Sequence, residues 1–221
     1  MKSIIISILM LMSASAISAQ STYLKIILAK NYTEAANILK TSIDTLNNKE
    51  RAKCYKALVS KNNTVFTDII DEYYKKEEGK PNRLSELIPT LVQTFKDALS
   101  CAEYDTKLDE NGKLKPKFLK PLKEDLKTFR PFLVNEGVEA FNAKDYKLSF
   151  DCFSTYIDSS LSAIFNEDPV VGQDSQFYSI AYYAAYSACM NNDASSALKY
   201  IDIAQKDPKV EPDAKKLKEA I

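Results

Sequence analysis

Apolar residues recur along nearly the whole chain at intervals of three and four, and no stretch alternates apolar with polar between hairpin turns. That pattern predicts helices throughout and an all-α fold. Leu24, Ile27 and Leu28 mark a first short helix, and Ala35, Ile38, Leu39, Ile43 and Leu46 a second. Ala52, Tyr55, Leu58 and Val59 mark a third, and Phe66, Ile69, Ile70 and Tyr73 a fourth. The breaks between them fall at Lys30-Asn31-Tyr32, Asn47-Asn48 and Asn62-Asn63, because Asn tolerates left-handed φ and caps a following helix. A longer helix is expected from Leu84 to Glu103, beginning or kinking at Pro89. Asp105 to Lys115 contains Asn111-Gly112 and reads as an exposed loop. Helices then follow at Pro116 to Thr128, Phe132 to Ala143, Tyr146 to Ile164, Ser175 to Met190, Ala194 to Lys206 and Pro212 to Ile221, with a break at Asp168-Pro169 and Gly172.

The first nineteen residues follow a different rule. Met1-Lys2-Ser3 is basic, Ile4 to Met12 is apolar, and Ser13 to Ala19 is rich in small residues, the order of a secretory signal peptide. Cleavage is expected after Ala19, with Ala14-x-Ala16 permitting an earlier cut. The apolar run is short for a membrane span, and no Cys stands at the cleavage point for a lipid anchor. The expected location is therefore periplasmic or secreted, without stable membrane insertion after cleavage.

Composition narrows the chemistry. The 221 residues include no His and no Trp, and Gly occurs only at Gly79, Gly112, Gly137 and Gly172. Without His the commonest general base and metal ligand is missing, and so few glycines cannot form a phosphate-binding loop. Thirty basic residues balance thirty acidic ones; losing Lys2 leaves 29 against 30, or −1, so nucleic acid is not an expected partner. Paired carboxylates such as Asp68 with Glu72, or Glu124 with Asp125, lie at spacings common on solvent faces, and no Ser or Cys has a His to activate it. No catalytic, cofactor or metal site is expected. Cys54, Cys101, Cys152 and Cys189 have no ligand spacing and fall in helical patterns beside apolar neighbours. They read as small core residues, with three disulfide pairings still open in an oxidising compartment.

The C-terminal half repeats itself. One unit reads Gly137-x-x-Ala140-Phe141-x-x-Lys144-Asp145-Tyr146-x-x-Ser149-x-x-x-Phe153-x-x-Tyr156. The other reads Ala185-x-x-Ala188-Cys189-x-x-Asn192-Asp193-Ala194-x-x-Ala197-x-x-x-Ile201-x-x-Ala204. Small residues at Gly137, Ala185, Ser149 and Ala197 would let antiparallel helices approach, with Phe141, Phe153 and Ile201 filling the space between pairs. These residues resemble the tetratricopeptide repeat, a 34-residue helix-turn-helix unit, and Lys30-Asn31-Tyr32-Thr33-Glu34-Ala35-x-x-x-Leu39 resembles its turn and second helix. Asn63, 32 residues after Asn31, would begin a degenerate further turn and helix. Asp193 follows Asp145 by 48 residues, 14 more than the family period, which places an insertion at 159–175. Ser149 stands where the family has Ala, and Pro131 would shorten the helix leading to Gly137. The stretch from Lys113 to Phe118, continuing through Arg130 to Asn135, also looks similar to secreted tetratricopeptide proteins of Bacteroidetes-type bacteria.

The resemblance implies an α-solenoid of antiparallel helix hairpins. Its divisions would be 1–19 as signal peptide, 20–104 as degenerate N-terminal hairpins, 105–115 as a loop and 116–221 as C-terminal repeats. It also implies a non-catalytic scaffold binding a protein or peptide on the concave face, through Val134, Val138, Phe141 and Asn142 in one unit and Tyr182, Tyr186, Cys189 and Met190 in the next. The family's carboxylate clamp needs Lys, Arg and Asn there; only Asn142 fits, so capture of a C-terminal carboxylate is not expected. Tyr178, Tyr182, Tyr183 and Tyr186 could equally be core packing. The alternative is a glycan-binding accessory of SusD type, disfavoured by the missing Trp and lipid anchor. Lys107 to Arg130 carries eight basic and four acidic residues, a net of +4, read as a solvated lysine face or a binding site for an acidic partner or membrane headgroups. The helix from Pro212 is either a cap or the opening of a further repeat.

Overall fold

The computed structural model describes residues 21–75, 83–109, 111–166 and 176–221. The expected signal peptide lies outside them, as does most of the expected insertion. The described residues are helical with no strand, and they divide into two compact units between Leu122 and Lys123.

In the first unit, residues 21–28 form α1, followed by α2 (Tyr32–Ser42), a 3-10 turn (Ile43–Thr45), α3 (Asn48–Lys75) and α4 (Leu84–Asp105). α5 (Leu119–Leu126) contains the division between the units. Local chemistry sets the starts of α2 and α3. Asn31 accepts a hydrogen bond from the Glu34 amide at 2.9 Å. At α3 the Glu50 amide donates to Asn47 Oδ1 (3.1 Å) while the Asn47 amide donates to the Glu50 carboxylate (2.9 Å), so each side chain satisfies an orphan donor of the other's backbone. Ile26, Ala35, Leu39, Leu46, Cys54 and Leu58 form a buried cluster against which Tyr23, Tyr32 and Tyr55 pack. α3 packs along α4, burying Val59, Ile69, Leu91 and Phe95.

One expected break is absent. α3 runs without interruption through Asn62-Asn63, so the third and fourth predicted helices are one and the degenerate further turn does not exist. The cost of Asn in a helix interior is a fraction of a kcal/mol, roughly 0.7 at most, and packing against α4 exceeds it. Asn62 is buried and its amide nitrogen reaches Asp97 of α4 at 3.5 Å. Thr67 donates to the carbonyl of Asn63 at 2.8 Å. Pro89 lies inside α4 rather than at its start, on an exposed position.

The second unit contains α6 (Arg130–Asn142), α7 (Tyr146–Leu161), α8 (Phe177–Met190), α9 (Ala194–Ala204) and α10 (Glu211–Glu219). Each packs on the next in chain order. α6 therefore starts at Arg130, with Pro131 in the first turn where its missing N–H costs nothing. α7 ends at Leu161, so the first residues of the expected insertion are still helical and the chain then turns through 162–166.

The two repeat turns are built alike. Lys144 and Asn192 have φ of 62° and 58°. The Asp145 and Asp193 amides donate back to Ala140 and Ala188 carbonyls, and the Lys144 and Asn192 amides to Phe141 and Cys189 carbonyls. This is a left-handed helix stop. The aspartate then caps the next helix, Asp145 accepting from the Leu148 amide and Asp193 from the Ser196 amide, both at 3.0 Å. Two residues thus end one helix and begin its antiparallel partner. Ala181, Ala184, Ala185 and Ala188 of α8 are fully buried, and their small side chains let its neighbours approach closely.

Candidate functional site

The repeat turns fix the register of α6 and α8, and that register decides which side chains flank the packed faces. Leu133, Gly137 and Ala140 of α6 point into the unit. Val134 and Phe141 are half-buried beside them, and Val138 is 43% exposed. On α8, Tyr182 and Tyr186 are half-buried, with Tyr183 and Met190 exposed by 41% and 48%. Asn142 is exposed at the end of α6, and Cys189 is half-buried.

Aromatic rings connect the two helices. The Phe141 centroid lies 5.1 Å from Tyr183 and 5.5 Å from Tyr186. Tyr182 extends the cluster, 5.7 Å from Tyr183 and 6.5 Å from Tyr186. Phe153 of α7 supports it from beneath, 6.1 Å from Tyr183. Edge-on and tilted contacts at these spacings suit the ring quadrupoles. Phe141, Tyr182 and Tyr186 are thereby brought together, while Val134, Val138, Asn142 and Met190 share the helix faces without a ring contact. The groove set read from the sequence omits Tyr183, which entered only in the four-tyrosine cluster left open between groove and core, yet it is the most exposed ring at the junction. Sequence reasoning missed Tyr146, whose ring is 5.7 Å from Phe141; its place directly after the capping Asp145 was the available signal. Tyr178 instead meets Phe177, at 5.3 Å.

Electrostatically the face is quiet. The Tyr182 hydroxyl is raised above the ordinary tyrosine value by burial first, then by Asp213, Tyr186 and Tyr183. It therefore stays protonated and able to donate a hydrogen bond at neutral pH. On α9, Tyr200 donates to Asp158 of α7 (2.9 Å) and Lys199 reaches both Asp158 oxygens (2.8 and 2.9 Å), a set in which each charge has its partner.

The carboxylate pairs singled out in the sequence have other partners. Glu72 meets Arg83 at 3.5 Å, and Glu124 meets Lys127. The four cysteines are thiols with no disulfide between them; burial pushes Cys54 up to about 11 and Cys101 up to about 12, so neither is a thiolate nucleophile at neutral pH. Among the described residues no group of three or more Cys, Asp or Glu could hold a metal. Nor is any helix among them long and apolar enough to cross a membrane.

Comparison with family models, with curated proteins and with solved structures finds no match to this chain. Its class rests on its own geometry: the described residues are helical, and the helices pack in adjacent pairs.

Proposed function

We propose that the chain is a non-catalytic interaction module of the exported compartment that holds a protein or peptide partner on the aromatic face of α6 and α8. The observation that carries this reading is the junction of Phe141, Tyr183 and Tyr186, with Tyr183, Val138 and Met190 still open to solvent. Rigid aromatic side chains supply contact area at low entropic cost, and tyrosine hydroxyls supply hydrogen bonds at the rim. No Lys or Arg is among the residues assigned to this face, so it suits an internal apolar segment and not a terminal carboxylate. The tetratricopeptide-like turns at Lys144-Asp145 and Asn192-Asp193 support the same reading, as does the signal-like N-terminus for the exported location.

The test is cross-linking capture with mass spectrometry in the native host, using the full chain and two variants. Val138→Glu with Met190→Glu places charge on the proposed face at exposed positions. Phe132→Glu is the control, since Phe132 is 46% exposed and stands about 120° around α6 from Val138. Partners lost from the first variant and kept by the control are expected. Equal capture by all three proteins, or saturable glycan binding with no protein partner, would reject the reading.

A further inference from the structure

The basic stretch that the sequence singled out is not a free loop. Asp105, buried at the end of α4, accepts hydrogen bonds from the Lys117 amide (2.8 Å) and the Phe118 amide (2.7 Å) at the start of α5. Asp109 accepts from the Asn111 and Lys113 amides at 2.9 and 2.8 Å and from Lys49 Nζ at 3.0 Å. These two carboxylates tie residues 105–109 and 111–118 down beside the N-terminal end of α3.

A cavity of about 180 Å³ results, lined by Lys49, Lys53, Lys107, Lys113, Lys115 and Lys117. Its lining has two carboxylates, Glu50 and Asp105, which gives six minus two, a formal +4. Both are committed to backbone amides, Glu50 to Asn47 and Asp105 to Lys117 and Phe118. Lys49 and Lys107 have ion pairs outside the lining, with Asp109 and Glu103, and Lys53 lies 3.8 Å from the centroid of the Tyr23 ring. Among the described residues, no ion pair holds Lys113, Lys115 or Lys117. Converging ammonium groups repel one another, and a bound anion turns that repulsion into attraction.

We propose that this cavity binds a phosphate-type oxyanion of two or more negative charges, carried by a small ester or by a lipid headgroup. Lysine ammonium groups hold such an anion as point charges and require no planar fork. The volume is small beside the roughly 300–1,000 Å³ of drug-sized ligand sites, which selects a compact anion over a peptide or glycan chain. Stacking contributes little: Tyr104 already stacks on Tyr55 at 5.8 Å and has Arg51 and Lys107 over its ring. The site lies in the first unit and is independent of the aromatic face.

Inorganic pyrophosphate is the probe, titrated into the full chain by calorimetry with amide chemical shifts followed by NMR. The expected result is saturable binding that shifts the amides of Lys113, Leu114, Lys115, Lys117 and Phe118 and weakens several-fold as salt is raised. Lys113→Gln, Lys115→Gln and Lys117→Gln together are exposed changes that leave the fold intact, and should weaken binding roughly tenfold or more. A charge-matched control, Lys206→Gln, Lys209→Gln and Lys216→Gln together in the second unit, should bind as the parent does. Vesicles of phosphatidic acid, whose phosphate monoester approaches two negative charges, set against phosphatidylcholine, distinguish the source: pyrophosphate binding with phosphatidic acid binding assigns a headgroup, and pyrophosphate binding alone assigns a soluble ester. No saturable pyrophosphate binding, equal loss in the control, or vesicle binding without pyrophosphate binding would each overturn the proposal.

Discussion

Gly137 of α6 lies against the ring of Phe153 on α7 so closely that a Cβ on the glycine would be 2.6 Å from Phe153 Cε1 and 2.7 Å from Cδ1. The glycine is required by that approach and not by an unusual φ. Phe153 is 1% exposed and has Tyr183 behind it at 6.1 Å, so the ring cannot swing away without disturbing the aromatic face. Overpacking of this kind costs about 1–3 kcal/mol, while Ala in place of Gly returns about 0.5–1 kcal/mol of helix propensity. Gly137→Ala should therefore lose about 1 kcal/mol net, the difference between the middles of the two ranges, read from urea denaturation midpoints, and Phe153→Leu in the same chain should recover part of it. An unchanged midpoint for the single variant would refute the contact.

Ser149 replaces the small apolar residue expected at its position, and the structure gives the reason. Its hydroxyl is 3.0 Å from that of Ser187 on α8, both side chains fully buried. Removing one hydroxyl leaves the other without its partner, whereas removing both leaves two apolar surfaces. Ser149→Ala and Ser187→Ala should each cost about 1–2 kcal/mol, and the double variant clearly less than their sum. Additive losses in a double-mutant cycle would show that the pair is not coupled.

Where local chemistry decides a structure, the sequence carried it. The Lys144-Asp145 and Asn192-Asp193 turns stop and cap helices with neighbouring residues alone, and the helices on either side were readable with them. Asn62-Asn63 repeats the dipeptide of Asn47-Asn48, yet the first is helix interior and the second a helix start. Asn47 has Glu50 to complete a reciprocal cap, while Asn62-Asn63 has no Glu or Gln three residues on and is carried through by packing on α4, where Asn62 meets Asp97, 35 residues away. Likewise the lysine-lined cavity joins Lys49 and Lys53 to residues 107–117 through hydrogen bonds spanning 12, 13 and 60 residues, a distance no periodicity reports. At the aromatic face, spacing identified Phe141 and Tyr186, but which of two adjacent tyrosines bridges to α6 depended on how α6 and α8 turn toward each other.

Asp97 supplies a pH test of the first unit. It is 4% exposed, and burial pushes its carboxyl from 3.8 up to about 6, against the opposing pull of hydrogen bonds from Tyr32 and Gln93. Asn62 and Tyr55 also face it, neither of them a cation. Between those two pH values the folded chain keeps a proton that the unfolded chain has released, so stability falls as pH rises from about 4 to about 6 and the full cost persists above that window. The cost has an upper bound of about 3 kcal/mol. Asp97→Asn should raise stability by roughly 1–3 kcal/mol near pH 7.5, have little effect near pH 4, and flatten the profile between. Parallel stability profiles for the two proteins, measured by urea denaturation across that range, would show that Asp97 is not the titrating group.

Arg130, the first residue of α6, is 8% exposed. Its guanidinium lies 4.4 Å from the Tyr156 ring centroid and 4.9 Å from that of Phe165, and donates to Ser160 Oγ. Its Nε is buried with no acceptor. Stacking recovers part of the desolvation cost, but an unmet donor on a buried cation is a net burden. Ser160 also donates to the Tyr156 carbonyl at 2.7 Å, so it keeps a partner if the arginine is removed. Arg130→Met, which retains the long side chain between the two rings, should therefore leave stability within about 1 kcal/mol of the parent or raise it. Arg130→Ala empties the space and should cost roughly 2–4 kcal/mol. Urea midpoints of both variants separate packing from charge: a methionine variant as unstable as the alanine one would mean that the cation itself holds α6 against α7.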